Sequence, residues 1–95
     1  LELLSTPRWA KRQPELALRA KSGTMSYSRG LAGVMRNVGG RQVLFVLMHT
    51  DFAARERFER HPQRFSNAVR RRAGRWLGRA RSLERQLLLH WHETL

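Results

Sequence analysis

Leu16, Leu18 and Ala20 alternate with Ala17, Arg19 and Lys21 along an extended stretch from Glu15 to Gly23, the period-two pattern of a strand. Pro14 disfavours helical angles at Gln13 and so opens that stretch. Upstream, Thr6-Pro7 predicts a short helix to about Arg12, with Thr6 capping the free amides and proline at the first helical position. A second extended segment begins where Gly30 and Gly33 bracket Leu31-Ala32. It runs through Val34-Met35-Arg36 to Asn37-Val38-Gly39-Gly40, a turn sequence tolerant of positive φ. The next arm, Arg41 to His49, contains Val43-Leu44-Phe45-Val46-Leu47-Met48. That run is apolar on both faces, which predicts a strand covered on both sides.

Beyond the strands the period changes. Asp51 can cap a short helix from Phe52 to about Arg60, and His61-Pro62 ends it. From Ser66, a suitable N-cap, apolar residues recur at Val69, Ala73, Trp76, Leu77, Ala80, Leu83, Leu87 and Trp91, the spacing of one helical face. Arg70, Arg71, Arg75, Arg79 and Arg85 occupy the other face. The expected class is α+β: a three-stranded antiparallel β-meander, one face covered by a long C-terminal amphipathic helix, with a short helix at each junction. The apolar strand has only one hairpin partner nearby, so residues 1–95 read as a single partial domain. The open strand edge predicts homodimer formation in an isolated chain.

Hydrophobic residues make up 41% of the 95 and charged residues 27%, values that allow a modest core and argue against wholesale disorder. The chain opens at Leu1 with neither initiator methionine nor leader pattern, and is therefore expected to be an internal fragment. The lack of cysteine excludes disulfides and thiol nucleophiles, and no apolar run approaches the roughly 20 residues of a membrane span. The net charge of +12 invites a nucleic-acid reading, with Arg70-Arg71-Arg72 on phosphates and Trp76 and Trp91 stacking on bases. Both tryptophans lie on the apolar stripe, however. The simpler expectation is packed tryptophans, a solvated arginine face and no specific nucleic acid, with weak attraction to peptidoglycan or anionic lipid headgroups.

Lys21-Ser22-Gly23-Thr24 is the motif that carries chemistry. An ammonium, two hydroxyls and a glycine at a strand end suit a carboxylate: the charges attract, the hydroxyls donate, and the glycine leaves room for close approach. The tripeptide lysine-serine-glycine is common, and in isolation a solvated strand end turning into a loop is the better explanation of it. Its surroundings extend the match. Leu18-Arg19-Ala20-Lys21-Ser22-Gly23-Thr24-Met25-Ser26, then Gly30-Leu31-Ala32-Gly33, the Gly39-Gly40 turn and the strand to Met48 resemble the penicillin-binding serine D-alanyl-D-alanine carboxypeptidases and endopeptidases over about Glu15 to Asp51. The resemblance implies a larger beta-lactamase/transpeptidase-like domain and a periplasmic location. It also implies a peptidoglycan stem peptide ending in D-Ala-D-Ala as substrate, and beta-lactams as ligands of the full-length parent. By the same resemblance Lys21 attracts the terminal carboxylate, Ser22 and Thr24 hydrogen-bond it, Gly23 permits its approach, and the Thr24 backbone amide is one oxyanion-hole donor.

Family members also carry a serine-x-x-lysine nucleophile and a serine-x-asparagine element. Neither occurs here: Ser5, Ser26, Ser28, Ser66 and Ser82 are followed at the third position by Arg8, Arg29, Leu31, Val69 and Arg85. The 95-residue chain alone is therefore expected to be inactive. Ser22 stands where the family usually has threonine, and His49-Thr50-Asp51 follows the apolar strand where an asparagine-containing turn is common. His90 and His92 point in different directions on a helix, and His49 and His61 have no carboxylate at ligand spacing, so all four read as lone histidines. Asp51, Glu56 and Glu59 are explained by capping and by pairing with Arg55 and Arg60. No metal or organic cofactor is expected.

Overall fold

The computed structural model describes residues 3–95, and the expectation attached to Leu1 lies outside the described residues. Two 3-10 turns, Arg8–Arg12 and Pro14–Leu16, precede strands β1 (Arg19–Met25), β2 (Ser28–Arg36) and β3 (Gln42–Thr50), then helices α1 (Phe52–Arg60) and α2 (Asn67–Thr94). The sheet is an antiparallel meander in the order β1-β2-β3, so the class is α+β as expected. No helix among the described residues is long and apolar enough to cross a membrane.

The amino-terminal elements depart from expectation for a local reason. Pro14 interrupts the chain after barely more than one turn, so Arg8–Arg12 winds as a 3-10 turn instead of an α-helix. Pro7 occupies its cap position and Thr6 does not cap; the Thr6 hydroxyl donates instead to the Leu18 carbonyl at 2.9 Å. Glu15 to Leu18 is not strand: Pro14–Leu16 forms a second turn, and Ala17 sits in the left-handed region at φ 46°. Leu16, Leu18 and Ala20 are nonetheless all buried, because this kink turns Leu16 inward. The alternation read as one strand thus comes from a turn followed by a strand.

β1 and β2 are joined through Ser26-Tyr27, with Tyr27 left-handed at φ 59°. A bulky side chain resists that conformation, and tertiary contacts impose it here. The Tyr27 ring lies 6.2 Å from that of Phe58 and 5.9 Å from that of Trp76. The Arg55 guanidinium donates to the Ser26 carbonyl at 2.7 Å, and the Asp51 amide to the Tyr27 carbonyl at 3.0 Å. At the other end of the sheet Asn37 closes the β2–β3 hairpin by accepting the Arg41 amide on Oδ1 at 2.7 Å. The sheet is tight between these turns: a Cβ on Gly33 would fall on the Arg19 carbonyl oxygen and the Ala20 Cα.

Cross-strand partners share a face, which divides the sheet in two. Ala20, Gly33 and Phe45 are aligned on one face, as are Ser22, Leu31 and Leu47; these rows turn toward α2. Leu16, Met35 and Leu88 are almost wholly inaccessible and centre the core, with Trp9 and Trp91 packed against it. On the opposite face Lys21, Ala32 and Val46 are aligned, and Leu44, Val46 and Met48 are 75%, 70% and 82% exposed. The expectation that β3 is covered on both faces is therefore wrong for this chain, whose α2 supplies a single layer.

Both helix caps form as expected: Asp51 Oδ1 accepts the Ala54 amide, and Ser66 Oγ accepts that of Val69. The i,i+4 pairs Arg55–Glu59 and Glu56–Arg60 also form. The buried line of α2 is displaced from the apolar stripe. It follows Val69, Ala80, Glu84 and Leu88, whereas Leu83 is 47% exposed. Searching for apolar residues alone skipped Glu84, and with it the two four-residue steps that lead from Ala80 to Leu88.

Candidate functional site

Lys21, Ser22, Gly23 and Thr24 all lie within β1, an edge strand, and all four are solvent-exposed. Ser5 and Ala20 exchange both of their backbone hydrogen bonds on the outer side of β1, at 3.0 and 2.8 Å. Because the direction of main-chain groups alternates along a strand, the N–H and C=O of Ser22 and Thr24 face that same margin, beyond the point where Ser5 leaves it. Antiparallel pairing thus presents the Thr24 amide outward, while β2 takes up the main-chain groups of Lys21 and Gly23.

The side chains divide differently. Lys21 is aligned with Ala32 and Gly23 with Gly30 on the open face; Ser22 is aligned with Leu31 and Thr24 with Arg29 on the α2 face. The ammonium and the hydroxyls consequently flank the strand edge from opposite sides. A Cβ on Gly23 would meet nothing within 4 Å, so this position opens onto free space. A shallow groove runs along the margin, lined by Ser5, Lys21, Ser22 and Arg29 among others.

Behind Thr24 lies a buried polar network that the sequence reading missed. Arg29 Nε donates to Glu84 Oε1 at 3.0 Å and Oε2 at 2.8 Å, and Arg29 Nη1 donates to Thr24 Oγ1 at 3.0 Å. His49 Nε2 lies 2.7 Å from Glu84 Oε2, so His49 is not the lone surface histidine expected. Glu84 and Arg29 are both buried, and a buried ion pair persists only when its remaining polar atoms are satisfied. That condition holds, since among the described residues no buried side-chain N or O lacks a partner. The chemical consequence falls on Thr24: its hydroxyl oxygen accepts from a guanidinium, which leaves the hydroxyl proton for a ligand oxygen.

Two of the other three histidines serve local structure. His61 Nδ1 accepts the Gln63 amide at 3.0 Å, and His92 Nδ1 lies 2.6 Å from the Arg36 carbonyl. His92 thereby pins the end of α2 to the β2–β3 hairpin, where the Val38 amide also donates to the His92 carbonyl. Among the described residues no cluster of histidine, aspartate or glutamate has the geometry to hold a metal ion. Comparison with protein-family models, with curated proteins and with solved structures finds no match to this chain.

Proposed function

We propose that this chain supplies the substrate-carboxylate strand of a serine D-Ala-D-Ala carboxypeptidase acting on peptidoglycan stem peptides in the periplasm. The observation that carries the reading is the presentation of Lys21-Ser22-Gly23-Thr24 on an exposed edge strand, with the Ser22 and Thr24 main-chain groups directed to the margin. An extended peptide can add to such a margin through its own main chain while its carboxylate meets Lys21 and the two hydroxyls. The Thr24 amide supplies one oxyanion donor, and open space at Gly23 admits the ligand. The parent reaction is acyl transfer: a serine attacks the D-Ala-D-Ala bond, D-alanine leaves, and water hydrolyses the acyl-enzyme. The nucleophile motif is absent from these 95 residues, so the chain alone performs none of these steps.

The test joins the chain to whatever its reading frame encodes upstream of Leu1. A serine-x-x-lysine followed by a serine-x-asparagine is expected there. The whole polypeptide should be acylated by a fluorescent penicillin, at least about tenfold more slowly after Lys21→Ala, which removes a charge-assisted contact. Absence of the upstream motifs would sink the reading, and labelling of the isolated chain would overturn its predicted inactivity.

A small basic module for nucleic acid or an acidic partner is the second reading, favoured by the exposed arginines of α2, Arg70 through Arg85. Trp76 lies against Tyr27 and Trp91 against the core, which leaves neither ring presented for base stacking. Binding that disappears between low and moderate salt, without sequence preference, is the expected result.

A further inference from the structure

A concavity lies away from the exposed face of the sheet, between the Arg8–Arg12 turn and α2. It is an open cleft of about 620 Å³ lined by five arginines and one carboxylate, with Trp9 and Leu31 as apolar wall. The carboxylate, Glu84, is already committed on both oxygens to Arg29 and His49. Arg8, Arg12, Arg81 and Arg85 therefore converge on the space with no carboxylate paired to them among the described residues. Arg81 and Arg85 are i,i+4 neighbours on α2, a mildly unfavourable like-charge spacing that a bound anion would relieve. The Arg85 guanidinium sits 5.6 Å from the centre of the Trp9 ring, a cation–π contact that holds it at the cleft wall. Low-dielectric walls around clustered charges of one sign concentrate the field and draw in an anion of opposite sign.

We infer that this cleft binds a phosphate or diphosphate ester, the guanidinium forks of Arg8, Arg12, Arg81 and Arg85 taking the oxyanion and Trp9 the ester's apolar or ring portion. A multiply charged oxyanion answers four guanidiniums better than a single carboxylate, and their planar donors match phosphate oxygens in pairs. The cleft adjoins the groove at the β1 margin and shares Pro7, Arg29 and Leu31 with it, but Arg8, Arg12, Arg81 and Arg85 line the cleft and not that groove.

Inorganic pyrophosphate is the probe, titrated into the chain at about 0.15 M salt, where the Debye length is about 8 Å and diffuse attraction is screened. Pyrophosphate should change the tryptophan fluorescence, and Trp9→Phe should remove the change. Calorimetry should show affinity reduced at least about tenfold by Arg81→Gln/Arg85→Gln, two charge-assisted partners lost. The charge-matched control Arg70→Gln/Arg71→Gln should bind as the parent chain does, and circular dichroism confirms that each variant is folded. Vesicles of phosphatidylglycerol form a second arm: cosedimentation lost in the Arg81/Arg85 variant alone assigns the phosphate to a lipid headgroup. Equal losses in both double variants, or no pyrophosphate binding by the folded parent chain, would overturn the site.

Discussion

The two faces of the sheet are built from similar strands and are finished differently. Toward α2, rows of leucine, methionine and phenylalanine close over Leu16 and Leu88, and the polar groups admitted there are fully paired. Away from α2, Leu44, Val46 and Met48 stand in solvent beside Lys21. The covered face carries the stability; the open face and its β1 margin hold Lys21 and Gly23, the residues to which we propose a role in carboxylate binding. The two meet at Thr24, whose hydroxyl is held from the covered side by Arg29 while its amide faces the margin. A carboxylate on α2 thus reaches the candidate site through a single intervening side chain.

The largest expected effect breaks the covered face at its polar centre. Glu84→Ala leaves the buried Arg29 guanidinium without its counter-charge, and removing one partner of a buried pair costs about 3–5 kcal/mol. The measurement is urea denaturation followed by circular dichroism. Glu84→Leu combined with Arg29→Met should recover much of that loss, because the charge and its partner leave together. A loss below about 1 kcal/mol for Glu84→Ala would mean that the pair is solvated rather than buried. Leu88→Ala, at the apolar centre of the same face, should cost about 2–5 kcal/mol by the same measurement, as expected of a fully buried leucine truncated to leave a cavity. Losing the α1 cap is a smaller change: Asp51→Ala forfeits the bond to the Ala54 amide and should cost about 1 kcal/mol.

How much of this was readable in advance follows the range of the forces involved. β3, α1 and α2 were legible to within a residue or two because Asp51, Ser66, Pro62 and the Asn37 to Gly40 turn are local signals with local causes. The Ser26-Tyr27 turn was not, since neither residue favours a left-handed angle and the rings that impose it come from α1 and α2. At the candidate site, Lys21 to Thr24 stood out by residue type, whereas the alternation taken for their strand came from the Pro14–Leu16 turn followed by β1. The Arg29–Glu84–His49 network could not be read, because its members lie 55 and 35 residues apart and only folding brings them together. A glutamate amid the apolar residues of α2 was the one available signal, and binary patterning discards it as a surface residue.

The gentlest change sharpens the comparison from the open side. Val46 is 70% exposed on an edge strand, so Val46→Lys should alter the denaturation midpoint by no more than about 0.5 kcal/mol in equivalent stability. Its effect should appear in association instead. A lysine on an open strand edge opposes pairing with a second chain, so the parent chain should dimerise in sedimentation experiments while the variant remains monomeric. The net charge of +12 resists any such dimer, and screening it should help; dimerisation of the parent should therefore strengthen from low to moderate salt. A parent chain that stays monomeric even where salt screens its charge would show that the open edge and apolar face do not drive association. A large loss of stability in Val46→Lys would show that the face is covered within the monomer.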